Sequence, residues 1–314
     1  MSGTTTQHEP VPAGPTDLRW RAWWGVLRRT VARFQENKIT DWAAALTYYS
    51  VLSVFPALLV LTSLLGLLGP TATRSLIDTV HEVGNTSGTR LLEDAITQLQ
   101  GSRAAAGPLA ILGLATSLWT ASGYIGAFIR AANTIYRTEE GRPVWKTIPL
   151  QLALTAVMMT LVAACALGVV LTGRVADRIG HWVGLGSAGI TVWDIAKWPV
   201  LLVLASLAIA LLYWASPNAR QPGFRWLTPG STLAVLVWIA ASVGFTVYAT
   251  HFGSYNKVYG SLAGAVVFLV WLWLTNVAVL LGAQFDAELA RGRQIEHGQP
   301  EDHEPVLPPR DDPE

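Results

Sequence analysis

Six long apolar stretches constrain what this 314-residue chain can fold into. They run over residues 43–69, 104–129, 148–171, 192–214, 230–249 and 261–283, and only Asp194 and Lys197, near the start of the fourth, bring charge into them. Each holds about 20 residues or more, enough at about 1.5 Å per residue to cross a hydrocarbon layer roughly 30 Å thick. A backbone in that layer must satisfy its own hydrogen bonds, so stretches of this length are helices. The sequence therefore predicts an all-α integral membrane protein with six transmembrane helices. Charged side chains make up 14% of the chain, against roughly 25% in a soluble domain, and this excludes an ordinary water-soluble core. Trp42, Trp145, Trp182, Trp193, Trp214 and Trp226 fall near the ends of the stretches, where an indole meets both lipid and water.

The basic residues give the stretches a direction. Of the 22 lysines and arginines, 15 lie before the first stretch, between the second and third, between the fourth and fifth, and after the sixth; six lie in the alternate connections, and Lys197 is the remaining one. The positive-inside rule then predicts that both termini are cytoplasmic. The 22 basic and 21 acidic residues nearly cancel, so no specific nucleic-acid partner is expected.

Composition divides the chain into four regions. Residues 1–16 and 293–314, rich in Pro and polar or acidic groups, read as disordered tails with too little apolar surface to offset ordering. Residues 17–42 alternate Trp20, Trp23, Trp24, Leu27, Val31 and Phe34 with Arg19, Arg21, Arg28, Arg29 and Arg33 at helical spacing. That pattern predicts an amphipathic helix at the cytoplasmic interface, with its arginines on lipid phosphates. Residues 43–292 form the membrane domain, and Leu91, Leu92, Ala95, Ile96 and Leu99 predict a short surface helix in the long external connection.

Polar residues in and beside the apolar stretches are the candidates for function. Tyr48, Ser50 and Ser53 precede Pro56, which is expected to kink the first span. Asn133, Asn256, Asn276 and Gln284 add neutral hydrogen-bonding groups. These residues either line a polar path or hold the helices together. Arg130 and Arg137 are candidate contacts for an anionic head group, or partners of Asp286 and Glu288 at the end of the last span. Gly260 and Gly264, four apart, share a face suited to close helix packing.

Absences narrow the chemistry. No acid or base lies deep within a span, the six histidines are scattered, and no phosphate-binding glycine loop is present. Cys165 sits alone in an apolar stretch. Neither a cofactor nor a metal centre is predicted, and nothing orders a nucleophile, a base and an oxyanion site into an enzyme.

Specific motifs add a family. Ala43-Ala44-Ala45-Leu46-Thr47-Tyr48-Tyr49-Ser50-Val51-Leu52-Ser53-Val54-Phe55-Pro56 is followed by Ala132-Asn133-Thr134-Ile135-Tyr136 and Ser216-Pro217-Asn218. Later come Tyr255-Asn256-Lys257-Val258-Tyr259-Gly260-Ser261-Leu262-Ala263-Gly264 and Leu281-Gly282-Ala283-Gln284-Phe285-Asp286-Ala287-Glu288-Leu289. In this order they resemble the YihY or BrkB family, long labelled ribonuclease BN, over residues 25–292. The resemblance implies six helices in a bacterial cytoplasmic membrane. Its labels imply either tRNA processing or resistance to serum killing, and the family is associated with moving lipid or envelope components. Membrane lipids are the expected partners, with an envelope protein or a second copy of the chain as further candidates.

Overall fold

The computed structural model describes residues 20–68, 106–170, 187–221, 223–224, 226–251 and 261–312, with only the backbone described in parts of the helices. Seven helices account for most of them: α1 Trp20–Glu36, α2 Ile39–Leu68, α3 Ala106–Tyr136, α4 Val144–Val170, α5 Ser187–Ala215, α6 Pro229–His251 and α7 Ser261–Glu296. The expected surface helix over Leu91–Leu99 and the tail 1–16 lie outside the described residues, as do Asn256 and Gly260. Pro56 falls inside α2, which continues to Leu68; its side chain is also outside the description.

The fold is an all-α bundle. Among the described residues, four helices, α4 to α7, hold stretches long and apolar enough to cross a bilayer: Val144–Cys165, Ile195–Ala215, Pro229–Tyr248 and Gly264–Glu296. Each of α2 to α6 packs on its successor in the chain, and α7 closes the circuit against α2 while also touching α3. The outer surface stays apolar, with Ile111, Trp119, Val162, Val203 and Val243 exposed, as expected where lipid is the solvent.

The buried core gathers toward one end, where Ile39, Ala43 and Leu46 of α2 meet Phe128, Ile129 and Ile135 of α3 and Leu280, Ala283 and Ala287 of α7. Small residues set the approach. A Cβ on Gly282 would collide with the Gly230 carbonyl and the Tyr213 hydroxyl and lie 2.8 Å from the Ala234 Cβ. Close helix contact therefore occurs at the Gly230–Gly282 crossing of α6 and α7, whereas Gly264 has open space around it.

Local chemistry fixes the element ends. Thr228 caps α6 and exchanges bonds with Ser231, the Ser231 amide donating to the Thr228 hydroxyl and the Thr228 amide to the Ser231 hydroxyl, each at 3.0 Å. Pro229 then fills the first helical position, where its missing amide costs nothing. α1 turns into α2 through Lys38 at φ 50°, and α3 ends at Arg137 with φ 52°. At that end the Thr138 amide reaches the Asn133 carbonyl and the Arg137 amide the Thr134 carbonyl. This helix-ending motif usually carries glycine at the left-handed position, and an L side chain there costs on the order of 1 kcal/mol.

One end of the bundle collects α1, the α3–α4 connection, the α5–α6 connection and the segment after α7. These lie within the four sequence segments, bounded by the apolar stretches, that hold 15 of the 22 basic residues. The segment after α7 departs from the disordered tail expected of it. Residues 299–312 form a strap across this end: the Val306 amide donates to the Tyr136 carbonyl, the Arg220 amide to Pro308 and the Arg310 amide to Asn218. Val306 is buried, and the Arg310 guanidinium lies 5.3 Å from the Trp214 ring centre. Composition suggested a solvated tail because the partners of these groups are remote in sequence.

Candidate functional site

The polar side chains of the bundle fall into four groups, three of them at the α1 end. The first joins two connections. Asn133 on α3 accepts the Asn218 amide at 2.7 Å and donates to Glu140 at 2.9 Å. Glu140 receives Arg142 through Nε at 2.6 Å and Nη2 at 2.7 Å, and Arg142 also reaches the Ser216 carbonyl at 2.8 Å. The Asn218 side chain donates to the carbonyls of Glu139 and Asp311 and accepts the Asp311 amide. Partial burial would raise the Glu140 carboxyl, yet the Arg142 hydrogen bonds and charge outweigh this, and with Asn133 they hold it below the usual carboxylate range.

A second group lies between α1 and α7. Gln284, Glu288 and Arg291 recur at i, i+4 and i+7, so they share the α7 face that meets α1. Asn37 donates to Gln284 at 2.6 Å, and Gln284 donates to Glu288 at 3.1 Å. Glu288, 1% exposed, accepts Arg29 at 3.1 Å and has Arg33 at 3.6 Å. Arg137 pairs with Glu36 and Glu304. Those pairs outweigh the effect of its partial burial, which would lower its pKa, and raise it above the usual arginine value.

A cleft of about 70 Å³ is the third group, lined by Tyr136, Gln221, Thr228, Asp286 and Arg293, with Leu307 of the strap as one wall. Asp286 accepts the Gly230 amide at 2.7 Å. That amide belongs to the first turn of α6, where a helix favours negative charge. The fourth group is deeper: Tyr124 donates to Asn276 at 3.0 Å, and Asn276 donates to Thr47 at 3.1 Å, tying α2, α3 and α7 together. Gln151 of α4 donates to the Ser122 carbonyl.

The predicted site residues therefore separate. Tyr48 is exposed on the outer face, and Ser50 and Ser53 bond the carbonyls four residues back in their own helix. Asn133, Asn276 and Gln284 each bridge helices or connections at a different place. Arg137 is engaged by Glu36 and Glu304 rather than by Asp286 and Glu288, and the arginines that reach Glu288 are Arg29 and Arg33 of α1. Those two point into the bundle, leaving Arg28 on the exposed side of α1. Arg130 is exposed and has no ion pair among the described residues. Sequence reasoning passed over Glu140, Arg142, Asn218 as a hub, and Arg291. Glu140 and Arg142, two apart in a connection rich in charge, carried the only local signal. No group of three acid, histidine or cysteine side chains able to hold a metal occurs among the described residues.

The motifs that meet at the α1 end match a known family: the profile described as Virulence factor BrkB matches residues 30–306. The chain belongs to the BrkB family. This BrkB protein is 26% identical over 275 residues to the ribonuclease-like protein YfkH of Bacillus subtilis, covering 87% of the chain and 98% of the relative. It is 27% identical to a UPF0761 membrane protein of Alteromonas mediterranea over 90% of the chain and 92% of that relative. A third, the UPF0761 membrane protein of Alkalilimnicola ehrlichii, is 29% identical over 82% of the chain, which spans 56% of that longer protein. No solved structure matches. The BrkB motifs are thus structural joints here: the α3 motif supplies Asn133, Ser216-Pro217-Asn218 receives it, and the α7 motif supplies Gln284, Asp286 and Glu288.

Proposed function

We propose that this BrkB protein spans the bacterial inner membrane six times, with both termini cytoplasmic, and assists the movement of an anionic lipid or similar envelope component. α2 and α3, at 30 and 31 residues, join the four apolar spans in this reading. The α1 end faces the cytoplasm. Trp24, Trp145 and Trp226, which are 73%, 74% and 68% exposed at that end, mark the head-group level. α1 lies in this layer, docked through Val26 and Arg29 and presenting Trp24, Leu27, Arg28 and Val31 to lipid.

The observation that carries the proposal is Arg130 of α3, exposed at the α1 end and without an ion pair among the described residues. Farther up the helix Trp119 is also exposed, whereas Gly123 and Gly126 are packed under neighbouring helices, a Cβ on Gly123 meeting the Tyr49 ring at 2.9 Å and one on Gly126 the Gln151 amide at 3.1 Å. A guanidinium placed like that of Arg130 draws a phosphate, while the Gln151 amide and the Ser122 carbonyl satisfy each other between α4 and α3. A structural or assembly role is the second reading, favoured by the internal partners of Asn133, Asn276 and Gln284. Reconstitution into vesicles with a labelled anionic lipid separates the two. Faster transbilayer movement than in empty vesicles supports the proposal; an unchanged rate with folded protein, together with a stoichiometric protein partner, supports the assembly reading.

A further inference from the structure

Four guanidinium groups gather where α1, the end of α3 and the end of α7 meet. Arg29, Arg33, Arg137 and Arg291 have side chains only 16%, 15%, 22% and 2% exposed. Glu288 and Glu36 face them from the helices, and Glu301 and Glu304 from the strap. The arginines are sunk and three of the four acids stand at the rim: Glu36, Glu301 and Glu304 are 57%, 66% and 48% exposed. Arg291 shows the mismatch most clearly. Its Nη1 donates to the main-chain carbonyls of Glu301 at 2.7 Å and His303 at 3.4 Å. Its buried Nε and Nη2 have no hydrogen-bond partner among the described residues, with a Glu288 carboxylate oxygen 3.9 Å from Nε.

Buried donors on a charged group are rarely left unsatisfied in native proteins, and each instance calls for a reason. A phosphate group brings several charged oxygens that guanidinium forks bind well. The strap offers the same arginines two neutral carbonyls and two rim carboxylates.

We propose that Arg29, Arg33, Arg137 and Arg291 form a binding site for a phosphate-bearing anion, that strap residues 300–306 are its resident cover, and that a head group of an anionic phospholipid displaces them. Lifting the cover removes Glu301 and Glu304 and leaves Glu36 and Glu288 against four guanidinium groups, so the open state is disfavoured until an anion arrives. The cover continues into Val306, bonded to Tyr136, and Leu307, a wall of the Asp286 cleft; its release therefore opens that cleft as well. The assignment deepens the lipid reading above and rests on it for the ligand's source, but the site is distinct from Arg130.

The test is amide hydrogen exchange of the full chain in nanodiscs of phosphatidylcholine alone, of phosphatidylcholine with phosphatidylglycerol, and of phosphatidylcholine with added inorganic phosphate. The Val306 amide is the reporter. Its protection is expected to fall several-fold on going from phosphatidylcholine to the anionic lipid, and this difference to vanish in Arg33→Gln and Arg291→Gln, while Glu304→Gln and Arg291→Gln, each losing a bond to the strap, lower it already in phosphatidylcholine. Equal protection of wild type in all three conditions overturns the site. So does an undiminished response in both folded arginine variants. A response to inorganic phosphate equal to that to anionic lipid overturns the lipid as its source. If lipid movement fails in vesicles while this exchange response persists, the functional reading falls and the anion site stands.

Discussion

The side-chain oxygen of Asn133 accepts the main-chain amide of Asn218 at 2.7 Å, joining the end of α3 to the connection between α5 and α6 across 85 residues of sequence. Both residues are buried. Replacing Asn133 with Leu leaves the Asn218 amide without its acceptor and removes one donor from Glu140, which keeps those of Arg142. A lost partner for one buried polar group costs about 1–3 kcal/mol, so Asn133→Leu is expected to lower the thermal unfolding midpoint in detergent by several degrees. An unchanged midpoint would remove this joint from the account.

Acid should loosen the same joint. Glu140 is held below the usual carboxylate range in the folded protein, chiefly because the hydrogen bonds and charge of Arg142 outweigh its partial burial. Its contribution to stability is therefore present above the unfolded-state value, about 4.3 for a glutamate, and is lost as pH falls through the lower folded value. Unfolding midpoints measured between pH 7 and pH 3 should drop more steeply in the wild type than in Glu140→Gln. Parallel curves would show that the pair contributes nothing measurable.

The two kinds of glycine in α7 give opposite outcomes. Gly282→Ala drives a methyl group into the Gly230 carbonyl and the Ala234 side chain, and overpacking of this kind costs about 1–3 kcal/mol. Gly264→Ala meets no atom of the described residues within 4 Å and gains helix propensity of up to about 1 kcal/mol. Detergent-solubilised Gly282→Ala should unfold well below the wild type, with Gly264→Ala at or above it. The reverse order would mean that α6 and α7 cross elsewhere.

Asn276 separates packing from function. It bridges Tyr124 and Thr47 deep in the bundle, so Asn276→Ala should reduce stability by about 1–3 kcal/mol without changing the rate of lipid movement per folded molecule. A specific loss of movement at full stability would place Asn276 on the route instead.

Much of this was legible in the sequence, for identifiable reasons. Run length alone reveals a membrane helix, and the recurrence of Trp20, Trp23, Trp24, Leu27, Val31 and Phe34 among arginines shows that α1 is amphipathic. It does not show which face carries the arginines inward, because that depends on Glu288, more than 250 residues away. The spacing of Gly260 and Gly264 defines a shared face but not what lies opposite, and the close crossing is made by Gly282 with Gly230. The strap escaped notice because proline and acidic residues usually stay solvated; here Asp311 meets Lys146 at 2.7 Å and Asn218, while Glu304 meets Arg137. Arg137 itself left a trace, a large charged residue where the end of α3 favours glycine.

The most direct measurement of the central claim compares wild type with Arg130→Gln in vesicles containing a labelled anionic phospholipid. Arg130 carries no ion pair among the described residues, so its loss should leave the fold intact. The account predicts transbilayer movement well above that of empty vesicles for the wild type, and a rate reduced several-fold for Arg130→Gln at an unchanged unfolding midpoint. Equal rates for both proteins, or a wild-type rate no greater than that of protein-free vesicles, would contradict it.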